Sequence, residues 1–163
     1  TLSSSSAASD VYKRQVLGQP RDLDKLRAEV SEMRAKMRGN LGTKATAAGT
    51  AANAFDAGVA FDIKQDAGGI VDIEFMVQYA ALAWSHDHPA ILRWTDNIRI
   101  LEELEQAGLM PASDAILLRE VYKAFRSASH RQALQKQAGV IDAAQFADER
   151  RQVRRIWGQL GLT

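Results

Sequence analysis

Residues Ile70 to Ser85 are apolar nearly all the way round a helical wheel, and two adjacent glycines, Gly68 and Gly69, stand immediately before them. At about 100° per residue, Ile70, Ile73, Val77, Ala80, Ala81 and Trp84 share one stripe, while Phe75, Met76, Tyr79 and Leu82 fill most of the remainder. Such a helix exposes too much oil to water unless other elements cover it on several sides. The pattern therefore predicts a central, buried helix. With 163 residues, 46% of them hydrophobic, the chain can supply a core around it.

The flanking sequence supplies the cover. From Asp22 to Arg38 the positions Leu23, Leu26, Val30, Met33 and Met37 follow three-and-four spacing, with Gly39 as the stop and Arg34, Lys36 and Arg38 on a basic, solvated face. Asp87-His88-Pro89 ends the central helix. Thr95 is placed to cap a helix through Ala107, stopped by Gly108 and Pro111. Ser113 is placed to cap a long one reaching about Gln137. Asp142 with Gln145 reads as a capping box opening a last helix through Val153, Ile156, Trp157 and Leu160. Val59, Phe61 and Ile63 alternate with polar or small residues, an extended segment expected to pair outside the chain or to run over helices. The fold expected is all-α, a helical bundle of about five helices with one short extended segment leading in.

The bulk numbers narrow the function classes. Twenty-one basic and 20 acidic residues give a net charge of +1, so there is no general attraction to nucleic acid or to an anionic membrane. Cysteine is absent, which excludes thiol catalysis, disulfides and cysteine-held zinc. No apolar run is long enough for a bilayer, and a cytoplasmic location fits the whole. Residues 1–15 read as a non-native leader, similar to translated adapter sequence, and are set aside. The remainder divides into a linking helix at 21–39, a flexible Ala/Gly-rich insertion at 40–58 and a helical domain at 59–163.

Lys64, Asp66, Asp72 and Glu74 crowd round the two glycines. An acid-x-acid pair after two glycines imitates a metal-binding strand, but the pattern after Ile70 is helical and sets Asp72 and Glu74 about 200° apart. They cannot hold one metal together. Two readings stay open. In the first, the glycines and the free N–H groups of the helix start form an anion site to which Lys64 adds charge. In the second, Asp66 is a cap and Asp72 and Glu74 form interhelical ion pairs, with Arg93 or Arg99 as the partner of a buried Asp72. His86, His88 and His130 lack ligand spacing, and Trp84, Trp94 and Trp157 read as packing. The arginines at 126, 131, 150, 151, 154 and 155 read as exposed faces, the last four also as a docking patch.

Lys64-x-x-x-Gly68-Gly69-Ile70-x-Asp72-Ile73-Glu74-Phe75-x-x-Gln78-Tyr79, followed by Arg93-Trp94-x-Asp96-Asn97-x-Arg99-Ile100-Leu101, resembles the bifunctional glutamine synthetase adenylyltransferase/adenylyl-removing enzymes. The likeness runs from about Leu23 to Leu162, poorly over the insertion. It implies the C-terminal end of a longer enzyme that uses ATP and Mg²⁺ to adenylylate a tyrosine of glutamine synthetase, under a nitrogen-signalling protein. No spaced catalytic aspartates of that family are present, so the resemblance implies an upstream nucleotidyltransferase domain, with this chain as the helical domain packed on it. Neither catalytic residues nor a bound cofactor is then expected within the chain itself. Lys64, Gly68 and Gly69 would face the cleft, with Asp66, Asp72, Glu74, Arg93, Asn97 and Arg99 supporting them. The similar uridylyltransferase of the signalling protein, or a pure docking module, are the competing implications.

Overall fold

The computed structural model describes residues 8, 9, 11, 12, 15–42 and 55–163. Most of the leader at 1–15, and residues 43–54 of the insertion, lie outside the described residues. Five α-helices of ten or more residues dominate them: α1 (Leu23–Leu41), α2 (Ile70–Trp84), α3 (Asn97–Gln106), α4 (Ala112–Leu134) and α5 (Ala147–Gln159). Short 3₁₀ turns occupy Pro89–Arg93 and Ala143–Phe146. The all-α expectation holds. None of these helices is long and apolar enough to cross a membrane.

α2 is the central helix. It packs against α1, α3, α4, α5 and the first 3₁₀ turn, and Ile73, Met76, Tyr79 and Ala80 are completely buried. Each such aliphatic side chain contributes about 1.5–3 kcal/mol over leaving it in water. Phe125 of α4 meets Phe61 and Phe146 edge-on, at ring separations of 6.0 and 5.2 Å, and so pins the extended segment and the approach to α5 to the same core.

The extended segment has a partner within the chain, contrary to the expectation of an outside strand. β1 (Ala60–Asp62) pairs antiparallel with β2 (Val140–Asp142), Phe61 opposite Ile141. Three residues of ladder carry almost no periodicity, so the sequence gives no strand signal at Val140 to Asp142. Several helix ends also move. α1 runs through Gly39 and is capped by Asp22 and Gly42, Asp96 rather than Thr95 caps α3, and α4 starts after Pro111 with no side-chain cap from Ser113. Asp142 accepts from Ala144 N and opens the 3₁₀ turn, with α5 beginning only at Ala147.

Candidate functional site

The turn from Lys64 to Gly69 is built by hydrogen bonds that use up its own backbone. Asp62 accepts from the N–H groups of Lys64 and Gln65, each at 2.9 Å, and Asp66 accepts from Asp62 N at 2.8 Å. Gly69 N donates to Asp66 O, Ile70 N to Ile63 O and Val71 N to Lys64 O, at 3.0, 2.9 and 3.1 Å. Gly68 N donates to Asp72 Oδ2 at 2.6 Å. An anion site at a helix start needs these very groups free. Those of Gly68 to Val71 are spent on the chain itself. Asp66 caps this turn rather than the helix.

The glycines serve close approach of backbone. Gly68 has φ +81°, and a Cβ there would lie 2.9 Å from Arg150 O and 3.0 Å from Arg150 Cβ on α5. A Cβ on Gly69 would collide with Ile63 O. Both glycines are buried. They face α5 and the preceding loop.

Asp72 is buried, as its place on α2 demands, but its partners are not Arg93 or Arg99. Arg34 Nε donates to Asp72 Oδ1 at 2.5 Å, Arg38 lies 3.4 Å from the same oxygen, and Arg34 also donates to Gln65 O at 2.7 Å. One carboxylate thus joins α1, the glycine turn and the first turn of α2. Arg34 is fully buried and not on a solvated face. Its planar fork suits this task, because the carboxylate and the carbonyl lie in two directions. A sequence signal did exist: Arg34 follows Leu26 and Val30 at steps of four, on the apolar stripe of α1.

Arg150 has the same character. It is wholly buried, donates to Ala67 O at 3.2 and 2.9 Å through two nitrogens, and stacks over Phe61 at 3.8 Å and Phe55 at 4.6 Å. Burial pushes its guanidinium down to about 10; Asp66 and Asp72 oppose that fall and Arg154 adds to it. It remains charged at neutral pH. The expected docking patch on α5 loses this residue to the interior, while Arg151 pairs with Asp148 and Arg155 with Asp114.

Lys64 stands apart. It is exposed, forms no ion pair among the described residues, and lines a recess of about 340 Å³ with Asp62, Gln65, Ser129, Gln132 and Gln137, between the turn and the end of α4. Glu74 is half-buried and likewise forms no ion pair among them. The second motif makes its own cluster. Arg93 and Arg99 lie 5.5 and 5.1 Å from the Trp94 ring centre, Arg99 reaches Glu102 at 4.0 Å, and Asn97 donates to the Tyr122 hydroxyl at 3.1 Å. That cluster fastens α3 to α4, not to the glycine turn. Among the described residues no three of His, Asp and Glu come together as metal ligands, and both Asp72 oxygens are occupied.

A sequence model described as GlnD PII-uridylyltransferase matches residues 31–159. Among curated proteins the chain is similar to the bifunctional glutamine synthetase adenylyltransferase/adenylyl-removing enzyme of Pseudomonas putida, 88% identical over 157 residues, covering 96% of this chain and 16% of that protein. The enzyme of the same name from Pseudomonas aeruginosa is 66% identical over 156 residues, with the same 96% and 16% coverage. That from Nitrosococcus oceani is 44% identical over 154 residues, covering 94% of this chain and 15% of that protein. The chain thus spans about 16% of the length of such relatives. The matched region takes in the Arg34–Asp72 pair, the glycine turn and all of α2 to α5, and on that match the chain belongs to the GlnD PII-uridylyltransferase family, with relatives named as bifunctional glutamine synthetase adenylyltransferase/adenylyl-removing enzymes.

Proposed function

We propose that this chain is the accessory helical domain of a glutamine synthetase adenylyltransferase, packed on a nucleotidyltransferase domain that carries the chemistry. The observation that carries the reading is 88% identity, over nearly the whole chain, to a protein of that name. In such an enzyme a tyrosine oxygen of glutamine synthetase bonds to the α-phosphorus of ATP, pyrophosphate leaves, and the phenolic proton is lost. A second half removes the AMP by phosphorolysis. A nitrogen-signalling protein is the proposed regulator. Mg²⁺ is proposed to be held by carboxylates of the nucleotidyltransferase domain; among the described residues no three of His, Asp and Glu come together.

Within that role the work of this domain is positioning. The Asp72–Arg34 pair and Arg150 hold the glycine turn rigid, and the turn presents Lys64 at the surface beside a polar recess that Asp62 also lines. Lys64 is the residue proposed to reach the nucleotide phosphates across the domain boundary; Gly68 and Gly69 support it from beneath. The test is Lys64→Ala in the full-length enzyme, followed by glutamine synthetase adenylylation. A raised KM for ATP or a reduced kcat is expected, and an unchanged pair of constants removes Lys64 from the site. Calorimetry of the isolated chain is expected to find weak ATP binding or none.

The description of the family model favours a second reading, in which the parent transfers a uridylyl group to a signalling protein. Nucleotide choice separates the two: labelled ATP and UTP, offered to the full-length enzyme with glutamine synthetase or the signalling protein, report which group is transferred and to what.

A further inference from the structure

α1 and α2 run antiparallel: Arg34 meets Asp72 and lies 6.0 Å from the Phe75 ring centre, and Arg27 lies 6.0 Å from that of Tyr79. With Arg34 and Asp72 as the facing positions, Met37 and Met33 lie about 60° and 100° round α1, and Phe75 and Leu82 about 60° and 80° round α2, all on one side of the pair. Arg27 lies to the other side and donates to Leu160 O at the end of α5. The side away from α5 is thus an apolar face that the bundle leaves open. Met33 is 62% exposed and Leu41 56%, and Met37, Phe75 and Leu82 are half-buried. Met33, Met37 and Leu41 succeed one another at steps of four, so they form a ridge along α1. The ridge ends beside the glycine turn, where a Cβ on Gly42 would lie 2.9 Å from Asp66 Oδ1. Polar groups rim the face. Glu74 is half-buried and Glu29 exposed, and neither forms an ion pair among the described residues; Gln78 and Asn40 are exposed, and Lys36 is bonded to Glu32 at 2.9 Å.

Single exposed apolar side chains are ordinary, but a contiguous patch marks a contact surface. We propose that this face is the seat of the nucleotidyltransferase domain of the same polypeptide, which sets apolar side chains against Met33, Met37 and Phe75 and a lysine or arginine against Glu74. The inference rests on the adenylyltransferase reading. Three observations select this occupant. The chain spans 16% of the relative from Pseudomonas putida, so most of a protein of that kind lies outside it. The patch adjoins the turn that carries Lys64, and a domain that brings its nucleotide to that lysine covers the adjoining face as well. Glu74 and Glu29 carry unmatched negative charge at the rim, and enclosing the half-buried Glu74 carboxylate is costly unless a cation meets it, so the opposing surface is basic. Methionine suits such a joint, because its unbranched chain adapts to the wall it meets. An apolar centre within a polar rim is the form of a lasting contact rather than a brief encounter.

The test is photocross-linking in the full-length enzyme with p-benzoylphenylalanine in place of Met33, followed by mass spectrometry of the joined peptides. Met33 is exposed, so the replacement leaves the core alone. Cross-links into the nucleotidyltransferase domain are expected. Adding Glu74→Lys is expected to lower their yield about fivefold or more, because it sets like charges together across the joint. Cross-links only to another part of the polypeptide, to a second copy or to added glutamine synthetase overturn the proposal, as does the absence of any cross-link. A yield that Glu74→Lys leaves unchanged removes the basic contact and overturns it too. The position of the cross-links is read with Glu74 in place, so the test survives a Glu74→Lys enzyme that fails to fold. Transfer of labelled AMP to glutamine synthetase is measured on the unaltered enzyme alongside. Intact transfer with misplaced cross-links sinks this surface alone, whereas absence of transfer sinks the adenylyltransferase reading beneath it.

Discussion

Removal of the Asp72 carboxylate would strand a buried cation in the core of this fold. Asp72→Ala strips Arg34 of its 2.5 Å partner, leaves Arg38 without its 3.4 Å contact and frees Gly68 N from its 2.6 Å acceptor. Arg34 is fully buried, so its charge would remain in the interior uncompensated. Breaking one side of such a pair costs about 3–5 kcal/mol. Against a total stability of roughly 5–15 kcal/mol that is a large fraction, and for a chain of this size it corresponds to a fall in Tm of roughly 10 °C. Urea and thermal unfolding, followed by fluorescence of the three tryptophans, measure it. Asp72→Asn keeps an oxygen for Gly68 N without the charge and should fall between. The double variant Asp72→Ala/Arg34→Met should recover about 2 kcal/mol relative to the sum of the single effects, because the second change removes the stranded cation. A cost for Asp72→Ala below about 1 kcal/mol, or strict additivity in the cycle, would refute the argument that this pair organises the turn.

Gly68→Ala combines a left-handed backbone with a Cβ 2.9 Å from Arg150 O, and should cost more than about 2 kcal/mol while raising hydrogen exchange in α5 near Arg150. Lys64→Ala, at an exposed position without an ion pair, should change stability by less than about 0.5 kcal/mol, so any loss of activity in the full-length enzyme would not come from unfolding. The Asp142 carboxyl is held below its usual range by the N–H groups of Gly58 and Ala144. Its contribution is therefore present above the unfolded carboxylate range near pH 4 and is lost as pH falls through the lower folded value. Asp142→Asn should flatten that acid limb of stability, as measured by urea titrations at a series of pH values. Arg150→Met keeps most of the apolar contact with Phe61 but removes both bonds to Ala67 O, and should loosen the glycine turn in hydrogen exchange even if the global melt changes little.

The helices were legible because their periodicity is a property of the chain alone. The burial of α2 follows from its being apolar on all sides, and the presence of a turn before it follows from adjacent glycines. Two long motifs in order also carried the family resemblance. Helix ends were less legible: a carboxylate at position 96 and a hydroxyl at 95 are both competent caps, and the loop geometry selects Asp96. The β1–β2 pair was invisible because three-residue strands carry no useful pattern and their partners lie about eighty residues apart.

Partner choice among charges was the part that only tertiary structure decided. Sequence required that a buried Asp72 find a cation, and proximity along the chain pointed to Arg93 and Arg99. The packing of α1 along α2 placed Arg34 there instead, and put Arg93 and Arg99 on Trp94. The stripe positions of Arg34 and of Arg150, which lies four residues after Phe146 and three before Val153, did carry a readable hint that both arginines point inward. Which carboxylate or carbonyl they meet depends on how helices cross, information that no single-helix period contains. The same packing supplied partners for every N–H group from Gly68 to Val71, and left the side chain of Lys64 exposed at the turn.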